Sequence, residues 1–272
     1  MKTQKRGYQD NCVNKVITYY KKKERGYIVL APGAGKTVIS YRIAKELKAK
    51  YVIFFVPTVD LLKQTHEEWK IWIGKYEPGV EYKFILVTAD NSIANTTTNP
   101  TKIKEKFEAG KHNKKNIVII CLYHNSDVLI NALQKTKIDL AIYDEAHKMV
   151  TIGNKHKNDH KAFKNANVNI KLDDIISKRL YMTATPVIYE GDEFAEYGMN
   201  NSKEYGGLIY KKGINDLIKK KWLVGYKIHG VNITKENIKK YMNENNKYKI
   251  KGLGLRKKIK LRYIGAAISV SK

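Results

Sequence analysis

The chain has 272 residues, 43% of them hydrophobic, enough for one large α/β domain or two smaller ones around a real core. Its longest apolar run, YVIFFV at 51–56, is far short of the ~20 residues that cross a bilayer, and the opening MKTQKRGYQDN has no apolar stretch after its charges. Neither a membrane segment nor a signal peptide is read, while 52 Lys+Arg against 26 acids give a net charge of +26 that favours polyanions such as nucleic acid.

The charge is uneven. From Lys203 to Lys272 there are 19 Lys/Arg against 4 Asp/Glu, a surplus of 15 in the last quarter of the chain. Lys, Asn, Ile and Tyr are abundant throughout, as an AT-rich coding sequence would make them, so the distribution says more than the total. Cys12 and Cys121 are far apart and form no CxxC pair, which predicts ordinary thiols in a reducing, intracellular compartment and no metal site.

In chain order, YIVLAP (27–32) reads as a strand running into a Gly-rich turn and a helix from about Lys36 to Lys48. YVIFFVP (51–57) is a strand covered on both faces, and Thr58–Trp72 a helix with Leu61, Leu62, Thr65, Trp69 and Trp72 near one side. KFILVTA (83–89) is a strand, NSIANTTTNP (91–100) a loop, Thr101–Ala109 a helix, NIVIICLY (116–123) a strand and 126–135 a helix. IDLAIYDEAH (138–147) is a strand ending in acids, 148–165 a polar loop, Val168–Ser177 a helix and KRLYMTATP (178–186) a further strand. This alternation predicts an α/β fold, a mostly parallel sheet flanked by helices. After Pro186 the pattern changes: 191–207 reads as irregular, Ile214–Lys221 as a helix, 222–233 as extended and 235–262 as strongly basic. Residues 1–187 are expected as the compact domain and 188–272 as an exit segment with a basic extension.

Pro32-Gly33-Ala34-Gly35-Lys36-Thr37, with a strand before and a helix after, is a polyphosphate loop. The glycines let backbone N–H groups face phosphate oxygens at a helix N-terminus. Lys36 would neutralise the β/γ-phosphates and Thr37 would ligate Mg2+. The general pattern has Gly five residues before Gly35, where this chain has Leu30, so the loop is a variant. Asp144 and Glu145 end an apolar strand, where parallel sheets bind ligands. An Asp there holds Mg2+, and the neighbouring Glu deprotonates an attacking water.

Asp144-Glu145-Ala146-His147 spells DEAH, and APGAGKT and MTATP accompany it in order. Over roughly residues 4–228 the chain resembles the first RecA-like P-loop NTPase domain of a superfamily 2 helicase or translocase, most similar to restriction-enzyme-type DNA translocases and viral helicases of that type. EYGGLIYKKGINDLIKKKWLVGYKI is similar to the way those proteins leave their first motor domain. The resemblance implies ATP and Mg2+ as cofactors, Lys36 and Thr37 on phosphate and metal, Asp144 on Mg2+, Glu145 as catalytic base and His147 as the coupling residue. It further implies Gln9 on the adenine edge with Tyr8 or Arg6 stacking on the base. Thr183 and Thr185 would bridge the acids to the strand-binding face. Pro57, Thr58, Gln64 and Thr65 would contact a nucleic-acid backbone, as would Tyr123 and His124.

His156 and His160 read as part of a solvated loop rather than a zinc site, and Trp69 and Trp72 as core. A motor of this family needs a second RecA-like domain to supply arginine fingers, and nothing after residue 230 resembles one. The expectation is therefore the N-terminal motor half of an ATP-dependent helicase or translocase, slow alone and completed by a second domain or partner subunit, with DNA favoured over RNA. The alternative is a regulatory subunit that binds ATP and nucleic acid without turnover.

Overall fold

The computed structural model describes residues 6–90, 92–133, 136–150, 174–188 and 198–225. Strands β1 (Arg25–Leu30), β2 (Tyr51–Val56), β3 (Tyr82–Val87), β4 (Asn116–Leu122), β5 (Ile138–Asp144), β6 (Ile176–Thr183) and β7 (Gly207–Lys212) form one sheet in the order β3-β4-β2-β5-β6-β1-β7. Every pairing is parallel.

Parallel strands cannot be joined by tight hairpins, so helices return the chain and bury both faces of the sheet. These are α1 (Gly7–Tyr20), α2 (Lys36–Glu46), α3 (Val59–Tyr76), α4 (Pro100–His112), α5 (Ser126–Leu133), α6 (Ser202–Tyr205) and α7 (Ile214–Lys219). Alternation along the strands sorts the core into two. Val52, Phe54 and Val56 of β2 join Val118, Ile120 and Leu122 of β4 against Cys12 and Val16 of α1, Ile39 of α2 and Leu62 and Trp69 of α3. Ile53, Phe55, Ile117, Ile119 and Cys121 pack instead with Ile103 and Phe107 of α4 and Leu129 and Leu133 of α5. The result is a three-layer α/β/α unit.

The helix starts follow local chemistry. Thr58 caps α3, its hydroxyl accepting from Leu61 N–H at 3.3 Å, and Asn99 caps α4 ahead of Pro100 at the first turn. The buried face of α3 carries Leu62, Thr65, Trp69 and Ile73, and the helix continues to Tyr76, past the expected end at Trp72.

Three features differ from the sequence expectation. Residues 7–20 form α1, whose apolar face (Tyr8, Cys12, Val13, Val16, Tyr20) is interrupted by polar side chains that hid its period. The helix expected over Val168–Ser177 is a turn at its described end, and β6 already begins at Ile176. Gly207–Lys212 is a strand beside β1, within the stretch assigned to the exit segment. Its entry depends on Gly206, at φ +71°, where a Cβ would fall 1.9 Å from the Arg25 carbonyl oxygen. Of the loop expected over 148–165, the part from residue 151 with His156 and His160 lies outside the described residues, as does the basic stretch 235–262. The chain divides into units Met1–Val224 and Gly225–Lys272, and every element above belongs to the first.

Candidate active site

The turns that follow β1, β5 and β6 come from neighbouring or next-neighbouring strands, and they gather where a parallel sheet offers a ligand crevice. Between β1 and α2 the chain passes through Gly33 at φ +75° and Gly35 at φ +82°, both left-handed. A Cβ on Gly35 would fall 2.7 Å from Gln9 Nε2. The Ala34 carbonyl accepts from the Tyr8 hydroxyl at 2.7 Å and from Gln9 Nε2 at 3.1 Å. In a trans peptide C=O and N–H point opposite ways, so anchoring this oxygen on α1 aims Gly35 N–H away from α1. No side chain caps α2, which leaves its first N–H groups to an anion.

Lys36 Nζ lies 3.2 Å from Glu145 Oε1, with the two side chains 13% and 24% exposed. This contact brings the phosphate loop and the acidic turn to one point. Glu145 has φ +50°, a left-handed conformation uncommon for a side chain of its size. Glu145 Oε2 is 3.4 Å from His147 Nδ1, which is in turn 2.8 Å from Thr183 Oγ1. Thr183 Oγ1 also accepts from Thr185 N–H at 3.1 Å. Burial holds the His147 imidazole below its ordinary pKa, the Glu145 carboxylate opposing, so the ring is neutral at pH 7.

Asp144 is 7% exposed, and its Oδ1 is buried without a hydrogen-bond partner. Burial pushes its carboxyl up to about 6 against the pull of Lys36, with Glu145 adding to the rise. A buried oxygen with nothing to accept from suits a cation. Among the described residues no group of three or more His, Cys, Asp or Glu could hold a metal. An ion held by Asp144 and the Thr37 hydroxyl would take its remaining ligands from water and phosphate, which is the habit of Mg2+.

The other expected residues are placed less uniformly. Pro32 and Gly33 are exposed and Ala34 is buried. Tyr8 is buried, its ring edge-on to Trp222 and its hydroxyl committed to Ala34, which separates it from a stacking surface. Arg6 reaches the Tyr8 hydroxyl at 3.4 Å. Pro57 is buried, while Thr58, Gln64 and His124 are exposed, and Gln64 donates to Glu68 at 2.7 Å. Thr65 is buried at 3% exposure and Tyr123 at 2%. Tyr123 donates to the Asp144 carbonyl at 2.8 Å, which ties the end of β4 to the acidic turn. Sequence reasoning assigned no role to Trp222 or Leu223, whose only signal is an apolar pair following the amphipathic α7.

The family model described as type III restriction enzyme, res subunit, matches residues 2–188. The probable helicase A859L of African swine fever virus is 24% identical over 212 residues, covering 75% of this chain and 21% of the viral protein. The DNA 3'-5' translocase XPB2 of Sulfurisphaera tokodaii is 28% identical over 266 residues, covering 95% of this chain and 45% of the archaeal protein. This chain thus spans about a fifth of the first relative and under half of the second. Among solved structures, the ATP-dependent type ISP restriction-modification enzyme LlaBIII bound to DNA superposes with a TM-score of 0.69 at 24% identity, over 83% of this chain and 16% of that one, a likeness of fold.

Proposed function

The chain belongs to the family of the type III restriction enzyme res subunit, and on that premise we propose that it is the ATP-hydrolysing half of a nucleic-acid translocase, a RecA-like motor domain of helicase superfamily 2. The observation that carries this reading is the 3.2 Å contact of Lys36 with Glu145, which sets a phosphate-binding amine and a candidate general base around one point.

In the proposed reaction the loop amides and Lys36 hold the triphosphate, and Glu145 takes the proton of the attacking water. Mg2+, when bound, neutralises phosphate charge, and Thr37 and Asp144 are the residues that would hold it. Arg6 and Gln9 lie where α1 meets the loop and are assigned to the base. His147 joins Glu145 to Thr183 and Thr185, so a displacement of the carboxylate is felt at the end of β6. Thr58, Gln64 and His124 are exposed and are proposed to meet the nucleic-acid backbone, with Pro57 beneath them. Thr65 and Tyr123 are buried and act through packing, Tyr123 by holding the Asp144 carbonyl.

DNA is favoured over RNA because the archaeal relative is a DNA translocase by name. The viral relative is matched over 21% of its length, so it carries much sequence that this chain does not match. We assign the arginine fingers of the motor to a second RecA-like domain, in this or another polypeptide. Since β7 and α7 pack on the first unit, we take the motor unit to run to Val224 and the exit segment to begin after it. No helix among the described residues is long and apolar enough to cross a membrane. The free, buried thiols of Cys12 and Cys121 support our reading of the protein as intracellular, in a reducing compartment.

Isothermal titration of ATP with Mg2+ tests the site. The wild-type chain is expected to bind, and Lys36→Ala to bind at least about tenfold more weakly, since a charged hydrogen bond contributes ~1.5–3 kcal/mol. A wild-type chain that takes up no ATP overturns the reading.

A further inference from the structure

The chain runs through β7 and α7 and comes back to the phosphate loop before it leaves the unit at Val224. The end of α7 is a Schellman turn. Trp222 N–H donates to the Leu217 carbonyl at 2.8 Å, Lys221 N–H donates to the Ile218 carbonyl at 2.9 Å, and Lys221 is left-handed at φ +56°. A second bond from Leu223 N–H to Leu217 at 3.3 Å tightens the turn. Leu217 is fully buried in the same core as Ala31 and Ala34, so the turn is anchored to the body of the unit.

This geometry sets two side chains against the loop. Leu223 Cδ2 lies 3.3 Å from the point where a Cβ on Gly33 would sit. Trp222 meets the Tyr8 ring edge-on, centroids 6.2 Å apart, and Tyr8 is the residue that anchors the Ala34 carbonyl. Contacts therefore run from Trp222 through Tyr8 to Ala34, while Leu223 fills the space beside Gly33 where a side chain would project. Both bear on the loop backbone whose N–H directions decide phosphate binding.

We propose that Trp222 and Leu223 are positioning residues of the nucleotide site, a clasp by which the segment leaving the domain holds the phosphate loop in its binding shape. The inference rests on the reading of that loop as an ATP site. Because the clasp touches the loop, triphosphate that shifts the loop also shifts Trp222, and the last residues of the unit report nucleotide occupancy.

The test is titration of ATP with Mg2+ into the full chain and its variants, followed by calorimetry and by tryptophan emission. Leu223→Ala and Trp222→Ala are expected to weaken ATP binding about tenfold, within the range that small displacements of supporting groups cost. Leu223→Met and Trp222→Phe are expected to restore it to within about twofold, because Met keeps the volume of Leu and Phe keeps an aromatic ring against Tyr8. Val224→Ala, at an 89% exposed neighbour, is expected to leave it unchanged. The other two tryptophans, Trp69 and Trp72, lie on α3, so the ATP-induced emission change should be present in wild type and absent in Trp222→Phe. Equal ATP affinity in wild type and folded Leu223→Ala overturns the clasp while leaving the ATP site standing. So does an emission change that survives in Trp222→Phe. A wild type that binds no ATP overturns both. If Leu223→Ala does not fold, the emission comparison with Trp222→Phe decides.

Discussion

Asp144 is the residue whose environment costs the ligand-free protein most visibly. Its carboxyl is buried with one oxygen unsatisfied, and it holds its proton to about 6 in place of 3.8. Between those values the folded state carries a proton that the unfolded state has lost, so the contribution of this group to stability falls as pH rises through the window and stays lower above it. At about 1.4 kcal/mol per unit the deficit is on the order of 2–3 kcal/mol. In EDTA, Asp144→Asn is expected to be more stable than wild type at pH 8, with the difference gone near pH 4; urea denaturation at both pH values measures it. A variant less stable than wild type at pH 8 would show that the carboxylate is well accommodated without a cation. Residues 36, 37, 144 and 145 were singled out in the sequence because phosphate and metal chemistry accepts few alternatives at that spacing, and the structure brings Lys36 to within 3.2 Å of Glu145. The left-handed turn at Glu145, the burial of Tyr8 and the hydroxyl of Tyr123 on the Asp144 carbonyl were not, because each depends on which face a side chain presents after packing.

Among the elements, strands covered on both faces announced themselves as apolar runs, so β1 to β6 were each located from the sequence. α1 and β7 were missed for the same reason: each is only half apolar. GLIYKK sits at the sheet edge with Leu208 49% exposed and two lysines at its end, so it lacks the continuous signal of an interior strand. Its place beside β1 is set by Gly206, where any side chain meets the Arg25 carbonyl. Gly206→Ala is expected to destabilise the unit by on the order of 3 kcal/mol, combining left-handed strain with overpacking. Chemical denaturation of the full chain reads this, and a change below about 0.5 kcal/mol would mean that β7 detaches without consequence. α7 was located, yet its purpose was not, since the clasp onto Gly33 comes from the turn after the helix and not from its periodicity.

For the whole molecule, the alternation of strand and helix gave the class of fold, the order of motifs gave the family, and the distribution of charge is what a polyanionic partner of the kind proposed would meet. What the sequence could not convey is how the motifs are wired to each other. In the structure Lys36, Glu145, His147 and Thr183 form a continuous series of contacts from the phosphate loop to the end of β6. As proposed above, this series is a working ATPase coupled to a nucleic-acid strand. The most direct measurement is steady-state ATP hydrolysis by the purified chain, with and without single-stranded DNA, beside Glu145→Gln. Slow hydrolysis is expected, stimulated by DNA and lowered ~10²–10⁴-fold by Glu145→Gln, the usual cost of losing a general base. Turnover indifferent to Glu145→Gln, or ATP that binds and is never hydrolysed at any DNA concentration, would contradict it.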